Sequence, residues 1–451
     1  MSSGTASRLA AARTLAGLLG ERPLPIPGRQ GERLEPRDAR FAAELAHGVV
    51  RHLSRVDRAI EGASGKPPER ISRPALAAAR IGVYQLIFTP SVPAYAAVSA
   101  SVELARALEP RTAGFVNWLL RRAGPESLAP PRREDFEDAA AWLAALHSFP
   151  PWLVRRWIAR LGEDETGRLL EAMNEFPPPH VRVNPLRSPV DAARDALAAA
   201  GFDTTPGRYA PACLHVGGSG TLTETALFRD GALYLQDESS QLAALALAPR
   251  PGERILDACA GVGGKTTQIA ELAGNAAAIV ALDRDARRLA LLGENAARLG
   301  ARGIEARRGD LLDEATLAGE RFDAVLLDAP CSALGTIPRH PEVKWAKRAA
   351  DPRRLAATQL RLLERAAALL PPGGRVVYST CSTEPEEGEE VIARFVAAHA
   401  DFAAVDMAAA GPGASGILNA AELRTPEGFL RSWPHRHGIG AAFVALATRR
   451  H

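Results

Sequence analysis

Apolar residues in the front part of the chain recur at helical spacing: Phe41, Leu45, Val49 and Leu53; then Leu76, Ile81 and Leu86 with neighbours; then Val98, Val102 and Leu104; finally Phe115, Trp118 and Leu119. Such spacing gives each segment one apolar stripe, the mark of helices packed around a shared core. Gly and Pro clusters near 62–74, 89–93 and 124–131 punctuate them. Residues 8–123 therefore predict an all-α domain, and the Pro-rich stretch 124–133 borders it, giving a domain over 1–140. Further helices follow over 137–175, where Trp152, Trp157 and Leu161 lie on or near one face and both tryptophans read as core. After the triplet Pro177 to Pro179 come a short alternating strand (HVRVN), a helix at 189–200 and a strand near 211–216. A small α+β unit over 145–232 is expected there.

From 233 onward strands at 254–258, 278–282, 303–307, 322–328 and 375–379 alternate with helical stretches. This predicts an α/β, Rossmann-like domain over 233–451 with a doubly wound parallel sheet. An antiparallel strand around Ala442 to Ala447 is expected to close its edge. Two of these strands run into reactive side chains. FDAVLLDAPCSALG (322–335) reads as a buried strand ending at Asp328, with Cys331 in the loop beyond; RVVYS (375–379) leads into Thr380-Cys381-Ser382. Side by side in one sheet, they bring Asp328, Cys331 and Cys381 together above the strand tips, where ligands of such sheets bind.

Composition adds limits. The 451 residues are 47% apolar and 24% charged, as in a globular protein with an ample core. No run approaches the ~20 apolar residues of a membrane span. The N-terminus shows no signal-peptide cleavage pattern, so a cytoplasmic protein without membrane contact is expected. The cysteines at 213, 259, 331 and 381 form no C-x-x-C pair, so neither a disulfide framework nor a metal site is expected. His47, His52, His340, His435 and His437 fit no ligand spacing and read as surface or phosphate-contacting residues. The net charge of +3 is unevenly spread: residues 1–133 carry 20 Arg plus Lys against 11 Asp plus Glu. A basic front end suits a polyanion, or else an arginine-rich solvated face. Only four lysines occur, at 66, 265, 344 and 347, which singles out the one inside a Gly-rich loop.

That loop, Asp257 to Lys265, joins the first strand of the α/β domain to its first helix. Gly261, Gly263 and Gly264 let a ligand approach the backbone, and the helix N-terminus faces it. Asp283 closes the second strand, where an acid commonly holds ribose hydroxyls, and Asp310 follows the third. Three ligands compete. A nicotinamide loop wants G-x-G-x-x-G, and the third glycine is missing. A phosphate loop, G-x-x-x-x-G-K-[ST], misses by one residue, since Cys259 to Thr266 has Cys where the first Gly belongs. S-adenosylmethionine suits an acid-lined crevice better than a triphosphate does, because carboxylates repel phosphates and attract a sulfonium and an amine.

Cysteines beside a methyl donor suggest a particular chemistry. Cytosine C5 is a poor nucleophile until a group adds at C6, and a thiolate both attacks and leaves readily. An acid near N3 stabilises the adduct, and a base takes the C5 proton before release. Asp328, Cys331 and Cys381 suffice for these tasks; the competing view is that both cysteines are simply small buried residues.

DAPCS (328–332), STCS (379–382), CAGVGGK (259–265), RHPEVKW (339–345) and WPHRHG (433–438) resemble the motifs of RNA cytosine-5 methyltransferases of the NOL1/NOP2/Sun family. The likeness runs from QDESS (236–240) to the C-terminus. RDARFAAELAHGVVRHL (37–53) is similar to the NusB-like RNA-binding domain fused to the branch acting on 16S rRNA, rather than on tRNA or 23S rRNA. The resemblance implies Cys381 as nucleophile, Cys331 as the residue assisting release, and S-adenosylmethionine contacts from Cys259, Ala260, Gly261, Val262, Gly263, Gly264, Lys265, Asp283, Asp310 and Asp328. It implies a monomer acting on free or partly assembled small-subunit RNA. A non-catalytic RNA-binding assembly factor and a P-loop ATPase are the competing functions. Two departures stand out: Val262 replaces the family's usual proline, and Gly438 to Phe443 lacks an acid and one aromatic.

Overall fold

The computed structural model describes residues 3–21, 24, 34–218, 220–409 and 416–451. The chain divides into two compact units: Met1–Glu175 with Arg339–Ala349, and Phe176–Pro338 with Ala350–His451.

The first unit is helical. Its helices include Pro36–Arg51, Leu53–Ser64, Arg73–Phe88, Ala94–Leu108 and Ala113–Arg122, followed by Ala139–His147, Pro151–Leu161 and Glu163–Asn174. The predicted stripes form its core, with Leu45, Val49, Ile81, Leu104 and Leu119 at 0% exposure. Trp118 departs from the pattern, being 47% exposed. Trp157 is buried, as expected. His52 is a correction: rather than facing solvent or phosphate, its ring stacks on Phe88 at 3.9 Å. Burial above all, then the Lys344 and Arg51 charges, pushes it down to about 3. Lys344, in the RHPEVKW segment, is itself buried; its Nζ donates to the Arg51 carbonyl at 2.7 Å and to Asn174 Oδ1 at 3.2 Å.

The second unit holds two sheets. The smaller is antiparallel, made of β1 (His180–Val183), β2 (Asp203–Pro206), β3 (Cys213–Gly217) and β4 (Leu233–Leu235) in the order β2-β3-β1-β4. The larger comprises β5 (Arg254–Asp257), β6 (Ala278–Asp283), β7 (Ile304–Arg308), β8 (Ala324–Asp328), β9 (Arg375–Thr380), β10 (Phe402–Val405), β11 (Leu430–Ser432) and β12 (Ala442–Arg449). Its order is β10-β12-β9-β8-β5-β6-β7, with β11 paired to β12. Strands β5 to β9 pair in parallel; β5, β6, β8 and β9 have apolar residues packed on both faces, which explains their apolar runs, whereas the edge strand β7 (IEARR) is charged and largely exposed. The C-terminal strand β12 is antiparallel to β9 but does not close the edge, contrary to expectation, because β10 pairs outside it. Burial agrees: Phe443, Val444, Ala445 and Ala447 are buried as in an interior strand, whereas β10 buries only Phe402 fully. Strand β5 has β6 on one side and β8 on the other, so the chain reverses direction of travel across the sheet there, and a crevice opens at the carboxyl ends.

Candidate active site

Register alone sets the first contact. Strands β8 and β9 lie side by side with Asp328 opposite Ser379, so the loops leaving them start level. The two thiols then meet: Cys331 Sγ lies 3.2 Å from Cys381 Sγ. The hydrogen bond to Cys381, burial, and the Cys381 and Glu387 charges all push the Cys331 thiol well above its ordinary range. Asp328 has both oxygens engaged, Oδ2 by Lys265 Nζ at 2.6 Å and Oδ1 by Ser379 Oγ at 2.8 Å. Burial pulls the Lys265 ammonium down, but the Asp328 charge and hydrogen bond outweigh it and leave it raised. Lys265 thus holds an acid in place, one of the two roles open to it from sequence.

The Gly-rich loop closes the other side. Gly261 (φ 56°) donates its N–H to Asp283 Oδ2 at 2.9 Å, and the Asp285 N–H reaches Asp283 Oδ1 at 2.8 Å. Gly263 (φ 87°) turns the chain into the helix Gly264–Leu272, and a Cβ there would meet Leu292 Cγ at 2.7 Å. Burial, then nearby acids, pushes the Cys259 thiol upward. Behind the loop, Asp257 is buried and accepts from Thr266 Oγ1 at 2.6 Å; burial is the chief reason that its carboxyl rises to about 6. Val262, 41% exposed where the resembled family usually carries proline, has its carbonyl tied by Asn295 Nδ2 at 3.0 Å.

One cavity of about 580 Å³ takes in nearly all of these groups. Cys259, Ala260, Gly261, Val262, Gly264, Lys265, Asp283, Asp310, Asp328, Cys331 and Cys381 line it. Of the expected set, Gly263 alone is not in the lining; it shapes the turn from behind. Sequence reasoning missed other lining residues, notably Tyr234, Gln236, Asp237, Arg284 and Thr358. QDESS was a usable signal for two of these, since β4 runs directly into it. The altered C-terminal segment also lies nearby: the Gly440 N–H donates to Asp237 Oδ1 at 3.1 Å, and a Cβ on Gly440 would sit 2.8 Å from that oxygen. His437 is half-exposed, and its Nδ1 accepts from the Trp433 N–H at 2.8 Å. Away from the cavity, Cys213, His215 and Glu238 bring metal-ligand atom types within 4.8 Å of one another. Glu238 is there already satisfied by His215 Nε2 at 2.6 Å and by the Tyr209 and Ala210 N–H groups.

A doubly wound sheet with an acid-lined, Gly-rich crevice, a ribose-type acid on its second strand and no phosphate-loop glycine at 259 defines a Rossmann-fold methyltransferase. Comparison with known proteins narrows the class. The description "16S rRNA methyltransferase RsmB/F" matches residues 244–448, the NusB family matches 5–124, and the RsmF/B-like ferredoxin-like domain matches 149–222. The chain is 35% identical to a probable ribosomal RNA small subunit methyltransferase B of Synechocystis sp., over 91% of each chain. It is 36% identical to ribosomal RNA small subunit methyltransferase B of Erwinia tasmaniensis, over 82% of this chain and 84% of that one. The solved structure of PH0851 matches 100% of this chain and 99% of its own, with 26% identity and a TM-score of 0.79. The chain belongs to the RsmB/F family of ribosomal RNA small subunit methyltransferases. It is an S-adenosylmethionine-dependent RNA methyltransferase, with ribosomal RNA as substrate. The cavity fits that donor in kind: it is large enough for a nucleoside and lined by the carboxylates of Asp283, Asp310 and Asp328. Among the described residues no helix is long and apolar enough to cross a membrane.

Proposed function

We propose that the methyl group is placed on C5 of a cytidine in 16S rRNA, through a covalent bond between Cys381 and C6 of the base. The observation that carries this is the 3.2 Å separation of the Cys331 and Cys381 sulfurs inside the cavity that also contains Asp328 and the donor-type loop. In this chemistry the Cys381 thiolate adds to C6, and the displaced ring electrons make C5 nucleophilic. Bound S-adenosylmethionine supplies the electrophilic methyl. The C5 proton then passes to a base, for which Asp328 is the nearby carboxylate, the ring electrons return, and the S–C6 bond breaks. Cys331 assists that departure, being a thiol within hydrogen-bond distance of the leaving sulfur. The residues assigned to the donor are those named from sequence, Cys259 to Lys265, Asp283, Asp310 and Asp328, with Gly263 acting through the turn. The front end's excess of arginine supports RNA contact by residues 1–140. We take the substrate as free or partly assembled small-subunit RNA, met in the cytoplasm by a monomer.

The test is nucleoside mass spectrometry of 16S rRNA incubated with the protein and S-adenosylmethionine. One 5-methylcytidine at a single position is expected. Methylation on another base, on a ribose or on N4 overturns the proposal, as does exclusive action on tRNA or 23S rRNA.

A further inference from the structure

Glu387 lies outside the cavity, yet its side chain joins the two loops that carry the thiols. It is fully buried at 0% exposure, in the turn after β9. Its Oε1 accepts the backbone N–H of Ser332 at 2.7 Å and Gln359 Nε2 at 3.0 Å. Its Oε2 accepts Ser382 Oγ at 2.6 Å. Ser332 follows Cys331 and Ser382 follows Cys381, so each carboxylate oxygen holds the neighbour of one cysteine. The two serine hydroxyls also lie 3.1 Å apart. The Glu387 carbonyl is fixed in turn, accepting Tyr378 Oη at 2.7 Å.

We propose that Glu387 is the positioning residue of the thiol pair: its carboxylate sets the Cys331–Cys381 spacing by clamping the residue after each. A buried carboxylate is costly to keep unless hydrogen-bonded, and here three donors satisfy it, which makes the clamp stiff. The charge has a second effect. Together with the Cys381 hydrogen bond and burial, it opposes ionisation of Cys331, so that thiol keeps its proton for the departing sulfur. A merely space-filling residue would serve neither purpose. This role rests on the two-cysteine chemistry proposed above, but the spacing it predicts can be read without any RNA.

The experiment uses the full chain and two readouts on Glu387→Gln and Glu387→Ala, with circular dichroism showing which variants fold. Gln preserves the volume and some hydrogen bonding while removing the charge. First, the diazene diamide oxidises the Cys331 and Cys381 thiols, which lose two protons and two electrons as the S–S bond forms and the diazene becomes a hydrazine. Peptide mass spectrometry then follows the disulfide. Loss of a charge-assisted clamp should slow this step by about tenfold or more in a folded variant. Second, iodoacetamide labelling of Cys331, followed by peptide mapping across pH 7–12, should show its labelling onset moving to lower pH in Glu387→Gln. A folded variant with unchanged oxidation rate and unchanged labelling onset overturns the inference. If the thiol readouts move as expected while no cytidine adduct is ever found, Glu387 still positions the pair and only the proposed methylation chemistry fails.

Discussion

Replacing Arg182 with Met should destabilise the second unit far more than the loss of a surface arginine. Arg182 is 1% exposed on β1 and reaches the helix that follows the donor loop. Its Nε and Nη2 meet the two oxygens of Glu271 at 2.7 and 2.9 Å, Nη2 bonds Thr267 Oγ1 at 2.9 Å, and Nη1 bonds the Gly264 carbonyl at 2.7 Å and the Gln236 side chain. Met fills much of the volume but leaves a carboxylate with 1% side-chain exposure unpaired. Breaking a buried pair from one side costs about 3–5 kcal/mol, whereas replacing both partners with apolar groups is often near neutral. At 2–4 °C per kcal/mol for a domain of this size, the transition should fall by roughly 6–20 °C. Differential scanning calorimetry of the full chain reads it, and Arg182→Met/Glu271→Met should recover most of the loss. The sign with pH is fixed. Burial already raises the Glu271 carboxyl against the opposing pull of Arg182, and removing Arg182 raises it further. A group with a raised folded-state value contributes stability below its unfolded value and loses it as pH rises. The variant's deficit should therefore grow from acid toward neutral pH. A single-variant cost under about 1 kcal/mol, or a double variant no better than the single, refutes the reasoning.

Two further outcomes follow from buried polar groups. Asp257 rises to about 6, so its contribution is present below the ordinary carboxylate range and lost as pH climbs through 6. Asp257→Asn cannot ionise and should gain on the parent by up to about 3 kcal/mol between pH 4 and 7, read from urea melts across that range; a flat difference contradicts the assignment. Lys344→Ala removes the donor to the Arg51 carbonyl and to Asn174 and leaves a void. It should lower the stability of the helical unit by about 2–4 kcal/mol, seen in its calorimetric transition, and a shift confined to the other unit would show the anchor is misplaced.

Strands β5, β6 and β8 and their terminal acids were legible because strands buried on both faces must be apolar throughout, so the first polar residue marks the crevice. Asp283 and Asp328 both ended up in the cavity for that reason. The small sheet was only half legible. Strand β2, DTTP, is polar and ends in proline, and β4 has three residues, too few to show a period. The place of β12 was misread because periodicity reports burial of a strand, not which neighbour covers it. His52 was misread because a ring packed in a helical core carries no mark in sequence. Arg182 and Glu387 were missed for a related reason: Arg182 pairs with Glu271 89 residues away, and Glu387, although it bonds nearby Ser382, ties in the other cysteine loop through Ser332 55 residues away, which nothing local announces.

Covalent capture tests the central claim most directly. Cys331→Ala, mixed with 16S rRNA and S-adenosylmethionine, should yield a protein–RNA band that survives denaturing electrophoresis, with peptide mapping placing the bond at Cys381 and with Cys381→Ala giving no band. A bond at Cys331 in the Cys381→Ala protein, or no stable band from either variant, contradicts it.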